Sequence, residues 1–170
     1  MNKTKTPSTS ASFPRTFWIA NGVELLERAA YYGVFIVITL YLSRILGFDD
    51  IEAAWNSGGF SAGLYFLPTF TGALADKMGF RNALLLAFSL LSIGYLSLAL
   101  FPLSLEQNGL VEYGRTVTFT GLLEADIRWA IIPIMVVIMI GGSFIKAVIT
   151  GTVATTTTAA NRAKGFAIFY

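Results

Sequence analysis

Glu24, Glu27 and Arg28 lie inside a stretch that is otherwise almost wholly apolar, residues 17–42. Two carboxylates three positions apart, with a guanidinium beside the second, can hold a proton, meet a cation or pair with the arginine. At 100° per residue the three fall within about 100° of one another on a helix. Asn21 and Tyr31 extend the same stripe, and Phe17, Ile36 and Leu40 lie outside it. Each charge at the centre of a membrane helix costs about 2.5–3.5 kcal/mol on insertion scales. The polar face must therefore look into a helical bundle or a water-filled cavity. A buried Glu27–Arg28 pair that only fixes helix packing is the plain structural reading, but it leaves one acid without a cation in its own helix. Lys146, about seventeen residues into a later apolar segment, supplies that cation. Helical spacing puts it on one face with Met135, Met139, Gly142, Ser143 and Thr150. Two acids against Arg28 and Lys146 sum to zero charge, the balance that a low-dielectric site requires. Snorkelling to an interface is the alternative for Lys146, but Arg162 and Lys164 already occupy the inner edge.

The elements that must position these groups follow from composition. Of the 170 residues, 55% are hydrophobic and only 13% charged. A soluble domain carries about 25% charged residues, so an ordinary water-soluble globule, a disordered tail and a nucleic-acid-binding domain are excluded. The formal charge is +2 and is not a basic patch. Cys and His are absent, which excludes disulfides, thiol chemistry and a His-based metal site. Any proton relay must use carboxylates, Tyr, Lys or water, and no metal or cofactor is expected. Four segments reach the roughly 20 apolar residues of a membrane span: residues 17–42, 53–74, 83–103 and 129–153. A fifth apolar stretch begins at Phe166 and is cut off at Tyr170, so the sequence reads as the N-terminal fragment of a longer chain.

Residues 1–15 read as a short polar cytoplasmic tail, and no signal-peptide pattern follows it. With the N-terminus in the cytoplasm, seven Lys and Arg fall inside (Lys3, Lys5, Arg15, Lys77, Arg81, Arg162, Lys164) and three outside (Arg44, Arg115, Arg128). The outer loops also carry Asp49, Asp50, Glu52, Glu106, Glu112, Glu124 and Asp126. In the loop over residues 104–128, alternation around Gly114-Arg115-Thr116 allows a small hairpin, with an irregular loop the favoured reading. Threonines 155–158 can bond back to helix carbonyls and carry no function. Gly59 and Gly63 form a GxxxG pattern expected to serve close helix packing.

Several runs resemble a known family. Residues 24–33, Glu-Leu-Leu-Glu-Arg-Ala-Ala-Tyr-Tyr-Gly, resemble the E-x-x-E-R-F-x-Y-Y-G signature of proton-dependent oligopeptide transporters, members of the major facilitator superfamily. Residues 72–81, from Gly72 through Asp76 and Gly79 to Arg81, resemble the superfamily loop between helices two and three. Residues 141–146 resemble the family's glycine-rich run ending in Lys-Pro, and residues 162–170 resemble its entry to helix five. The chain departs from the pattern at Ala29, Phe80, Ala147 and Ala163, where the family has an aromatic, a basic residue, Pro and Asp.

The resemblance implies an all-α membrane protein: helices one to four and the start of helix five of a major-facilitator bundle, with residues 16–170 an incomplete N-terminal six-helix half. It implies a multi-pass protein of the inner cell membrane that performs proton-coupled symport of short peptides or similar small carboxylated solutes by alternating access. A superfamily transporter for a drug, sugar or other metabolite is the alternative. Glu24 and Glu27 would bind the coupling proton. Arg28 and Lys146 would meet a substrate carboxylate, and Tyr31, Tyr32, Tyr65 and Tyr170 would line the site. Gly72, Asp76, Gly79 and Arg81 would form a gating loop. The partners are then the solute, protons, the lipid bilayer and the missing C-terminal half, with no nucleic acid. A membrane enzyme using the two acids as acid and base lacks a nucleophile, metal ligands or a phosphate loop beside them. Four helices and a stump cannot enclose a site between two halves. The 170-residue chain alone, reconstituted in vesicles, is therefore expected to accumulate no solute under a proton gradient. Accumulation would contradict the fragment reading.

Overall fold

The computed structural model describes residues 13–113, 117–119, 127–159 and 161–169. Helix α1 runs Arg15–Leu40 and continues as one π-helical turn, Tyr41–Ile45. Helix α2, Asp50–Phe66, opens on a capping box. The Asp49 carboxylate accepts the Glu52 N–H at 2.7 Å, and the Glu52 carboxylate accepts the Asp49 N–H at 3.2 Å. Each satisfies a donor that the first helical turn leaves free.

The predicted span over residues 53–74 is not one helix. Helix α2 ends at Phe66 and α3 runs Pro68–Met78. Leu67 itself is helical, with φ −61° and ψ −31°, and its N–H still reaches the Gly63 carbonyl at 2.9 Å. The interruption comes from Pro68, which has no N–H to return to Leu64. Divided in this way, neither piece is long enough to cross a membrane alone. Three other stretches are long and apolar enough: Arg15–Ile45, Phe80–Gln107 and Ile127–Thr156.

Gly79, at φ +81°, ends α3 and admits the sharp entry into α4, Phe80–Gln107. That φ is a region open to Gly and strained for other residues. Beyond α4 the favoured irregular loop is overturned. Strands β1 (Val111–Tyr113) and β2 (Val117–Phe119) pair antiparallel, with Glu112 opposite Thr118. The alternation set aside in the sequence was a true strand signal. Arg115, Glu124 and Asp126 lie outside the described residues. A 3₁₀ turn, Ile127–Ala130, leads into α5, Ile131–Thr156, and α6 runs Arg162–Phe169. Helix α6 starts four residues before the apolar stretch that announced it. The chain is an all-α membrane protein bearing one small hairpin.

Helix α5 is the axis of the bundle and packs against α1, α2, α3, α4 and α6. Half of its most apolar stretch is buried, against 17% for the corresponding stretches of α1 and α4. Small residues make the approach possible. A Cβ on Gly141 would stand 3.0 Å from Leu91 Cγ and 3.1 Å from two backbone atoms of α4, Ala87 O and Leu91 N. Gly94 of α4 receives Ile138, and Gly63 of α2 receives the Met139 sulfur. Gly59 meets nothing, so only half of the GxxxG pattern packs. Just before α5 Arg128 donates to the Gly47 carbonyl at 2.7 Å, pairs with Glu52 at 3.3 Å and lies over the Phe48 ring. Two residues counted only as loop charges thus tie the α1–α2 connection to the start of α5. At the C-terminal end of α5 Thr155, Thr156 and Thr157 bond back to the carbonyls of Gly151, Thr152 and Val153. Thr158 instead bonds to Asn161.

The α4–α5 contact yields a test. Gly141→Ala pushes on backbone, which cannot yield by changing rotamer, and is expected to cost about 1–3 kcal/mol. Gly72→Ala adds a methyl that meets only the Ala147 Cβ at 3.6 Å and is expected to be neutral. Thermal unfolding of the two variants side by side checks the contrast.

Candidate functional site

The polar stripe of α1 turns inward. Glu24 is buried, with 6% of its surface exposed. Its Oε1 accepts a hydrogen bond from Arg28 Nε at 2.8 Å, one helical turn on. Its Oε2 is buried and has no hydrogen-bond partner among the described residues. Glu27 stands 3.9 Å from the same Nε. The arginine is therefore committed to Glu24, not to Glu27 as the plain structural reading had it. The i,i+4 spacing explains this: it stacks the two side chains on one face, whereas adjacent residues diverge by 100°.

Glu27, Arg28 and Tyr31 of α1, Leu64 and Tyr65 of α2, and Gly142 and Lys146 of α5 line a cleft of about 20 Å³. That is room for about one water. Gly142 holds the cleft open, since a Cβ there would stand 2.9 Å from Leu64 and 3.6 Å from Glu27 Oε1. The Lys146 amine lies 4.0 Å above the centre of the Tyr65 ring, a cation–π contact. It has no carboxylate within 4.0 Å among the described residues. The charge balance thus places Lys146 beside the acids without joining it to one. Arg28 already neutralises Glu24, and the ring face of Tyr65 holds the amine instead.

The other predicted residues divide between this cleft and its neighbours. Tyr31 is buried and stacks on Phe35 at 5.5 Å, with Phe60 of α2 at 6.2 Å. Tyr32 is exposed and lines a groove of about 540 Å³ on the α6 side of α1 with Asn21, Glu24, Arg28 and Phe169. Arg28 thus borders both spaces. Lys146 and Tyr65 border a third, of about 550 Å³, with Gly72, Asp76 and Thr150. Asp76 of the predicted gate therefore shares a cavity with the lysine. Arg81 is exposed on α4 beside Thr16 and Thr152, away from the cluster. Tyr170 lies outside the described residues. Sequence reasoning missed Leu64, an apolar residue in an apolar helix. No charge or spacing marks it.

No family model and no solved structure matches the chain. Curated relatives do. The chain is 32% identical over 124 residues to the dipeptide and tripeptide permease A of Salmonella typhi, covering 71% of this chain and 24% of the relative. It is 32% identical over 109 residues to the permease of that name from Escherichia coli strain K12, covering 64% and 21%. It is 34% identical over 87 residues to that of Proteus mirabilis strain HI4320, covering 51% and 18%. The chain spans about a quarter or less of the length of the relatives it matches. On these similarities, and on the motifs of α1 and α5, the chain is a homologue of the peptide permeases of the proton-dependent oligopeptide transporter family.

Proposed function

We propose that this chain is part of a proton-coupled symporter of short peptides or similar small carboxylated solutes, working by alternating access in the inner cell membrane with its N-terminus in the cytoplasm. It acts as a transporter and not as an enzyme. The peptide substrate is supported by the names of the relatives, which are dipeptide and tripeptide permeases. The observation that carries the reading is the α1 cluster: Arg28 bound to Glu24 at 2.8 Å, with Glu27 held 3.9 Å off beside Lys146.

The proton and the solute act on one charge balance. Glu24 and Glu27 offset Arg28 and Lys146 when both acids are ionised. Burial favours a neutral acid, and a nearby cation favours the carboxylate. Glu24 is secured by its arginine, which leaves Glu27 as the group to take the proton. Once Glu27 is neutral, Arg28 and Lys146 face a single negative charge. The site then attracts the carboxylate of a solute, more strongly here than in water because the medium is less polar. Thermodynamic linkage makes the effect reciprocal, so a bound carboxylate also favours protonation. A cleft of about 20 Å³ holds no peptide. The solute needs the flanking spaces beside Tyr32 and Tyr65, opened by movement against the remainder of the transporter. Asp76, with Gly72, Gly79 and Arg81, gates the inner end.

In the full-length protein, Glu27→Gln is expected to abolish uptake driven by a pH gradient, while counterflow exchange, which moves no net proton, survives at least in part. Lys146→Ala is expected to impair driven uptake, and adding Glu27→Gln to it is not expected to restore coupling. Accumulation by Glu27→Gln equal to wild type under an imposed gradient would remove Glu27 from the proton role. A panel of dipeptides, sugars and drugs in the same vesicles identifies the solute.

A further inference from the structure

Helix α4 contains Pro102, three residues beyond Ala99 and five before its last residue, Gln107. In an α-helix the Leu98 carbonyl takes its hydrogen bond from the N–H of residue 102, and proline has none. Inside a bilayer no water replaces the missing donor. The Tyr41 hydroxyl of α1 donates to the Leu98 carbonyl at 2.8 Å. The phenol thus supplies from a neighbouring helix the bond that Pro102 removes from its own.

The place of Tyr41 in α1 gives this contact a second consequence. Tyr41 is the first residue of the π turn Tyr41–Ile45, and its carbonyl accepts from the Leu46 N–H at 3.1 Å. The α-helical ladder of α1 therefore loosens at the residue that is tied to α4. A groove opens between the two helices around the contact, lined by Gly33, Val37, Ile38, Tyr95 and Ala99 besides the bonded pair.

We propose that Tyr41 and Pro102 form a pinned hinge. Pro102 exposes a carbonyl on α4, Tyr41 caps it, and the outer end of α1 is thereby fixed to α4 where α1 passes into its π turn. The proposal does not depend on the transport reading, because it concerns a hydrogen bond that either is or is not used in the folded chain.

A double-mutant cycle on the whole chain in lipid nanodiscs, read by thermal unfolding, tests it. Tyr41→Phe removes only the donor and is expected to lower the transition by roughly 2–4 °C. Pro102→Ala returns an N–H to the Leu98 carbonyl, so in that background Tyr41→Phe is expected to cost less than half as much. Pro102→Leu, run in parallel, restores the same N–H with a different side chain. A Tyr41→Phe chain that fails to fold alone but folds with either replacement supports the hinge equally. A shift of similar size in both backgrounds, no shift in either, or failure to fold in both overturns it.

Discussion

Charge in a low-dielectric medium must be met by opposite charge at short range, and in this chain that condition falls on α1. Glu24 and Arg28, one turn apart, satisfy each other at 2.8 Å. Their contact leaves Glu27 facing outward from the pair, and α1 cannot show that face to lipid. It turns it to α2 and α5, where Leu64, Tyr65, Gly142 and Lys146 complete the wall of the cleft. The orientation of α1, the position of α5 and the form of the cleft all follow from the need to shelter three charged groups.

Shelter requires close approach, and α5 provides it by lacking side chains where they would obstruct. Gly141 brings its backbone against α4, and Gly142 leaves space for Glu27 and Leu64. In hydrocarbon no hydrophobic gain drives helices together, so tight packing of small residues carries the association. The same run ends in Lys146, four residues after Gly142. Packing and chemistry thus lie on successive turns of one helix, and loss of the first would displace the second.

Two prolines mark where the regular ladder is broken, and the chain answers each differently. Pro68 divides α2 from α3 while Leu67 keeps helical angles, so the path runs on with one bond fewer. Pro102 stays within α4, and Tyr41 of α1 covers the carbonyl it leaves. Arg128 performs a comparable service at the α1–α2 connection, where it takes the Gly47 carbonyl and the Glu52 carboxylate together.

The sequence by itself determined the membrane class, most of the helical segments and the residues of the charged stripe. Those properties depend on apolar length and on spacing along one helix, which are local. It located the Gly-to-Lys face of α5 for the same reason. The tertiary structure decided matters that involve two segments at once. Lys146 came to rest on Tyr65 because α2 brings an aromatic face to it. The alternation in the sequence allowed the hairpin, and the pairing of Val111–Tyr113 with Val117–Phe119 realised it. Tyr41 and Leu98 are 57 positions apart, and no periodicity links a phenol in one helix to a carbonyl in another. Only the folded chain brings an unpaired acceptor and a free donor together, since each gains a partner there that neither lipid nor its own helix supplies.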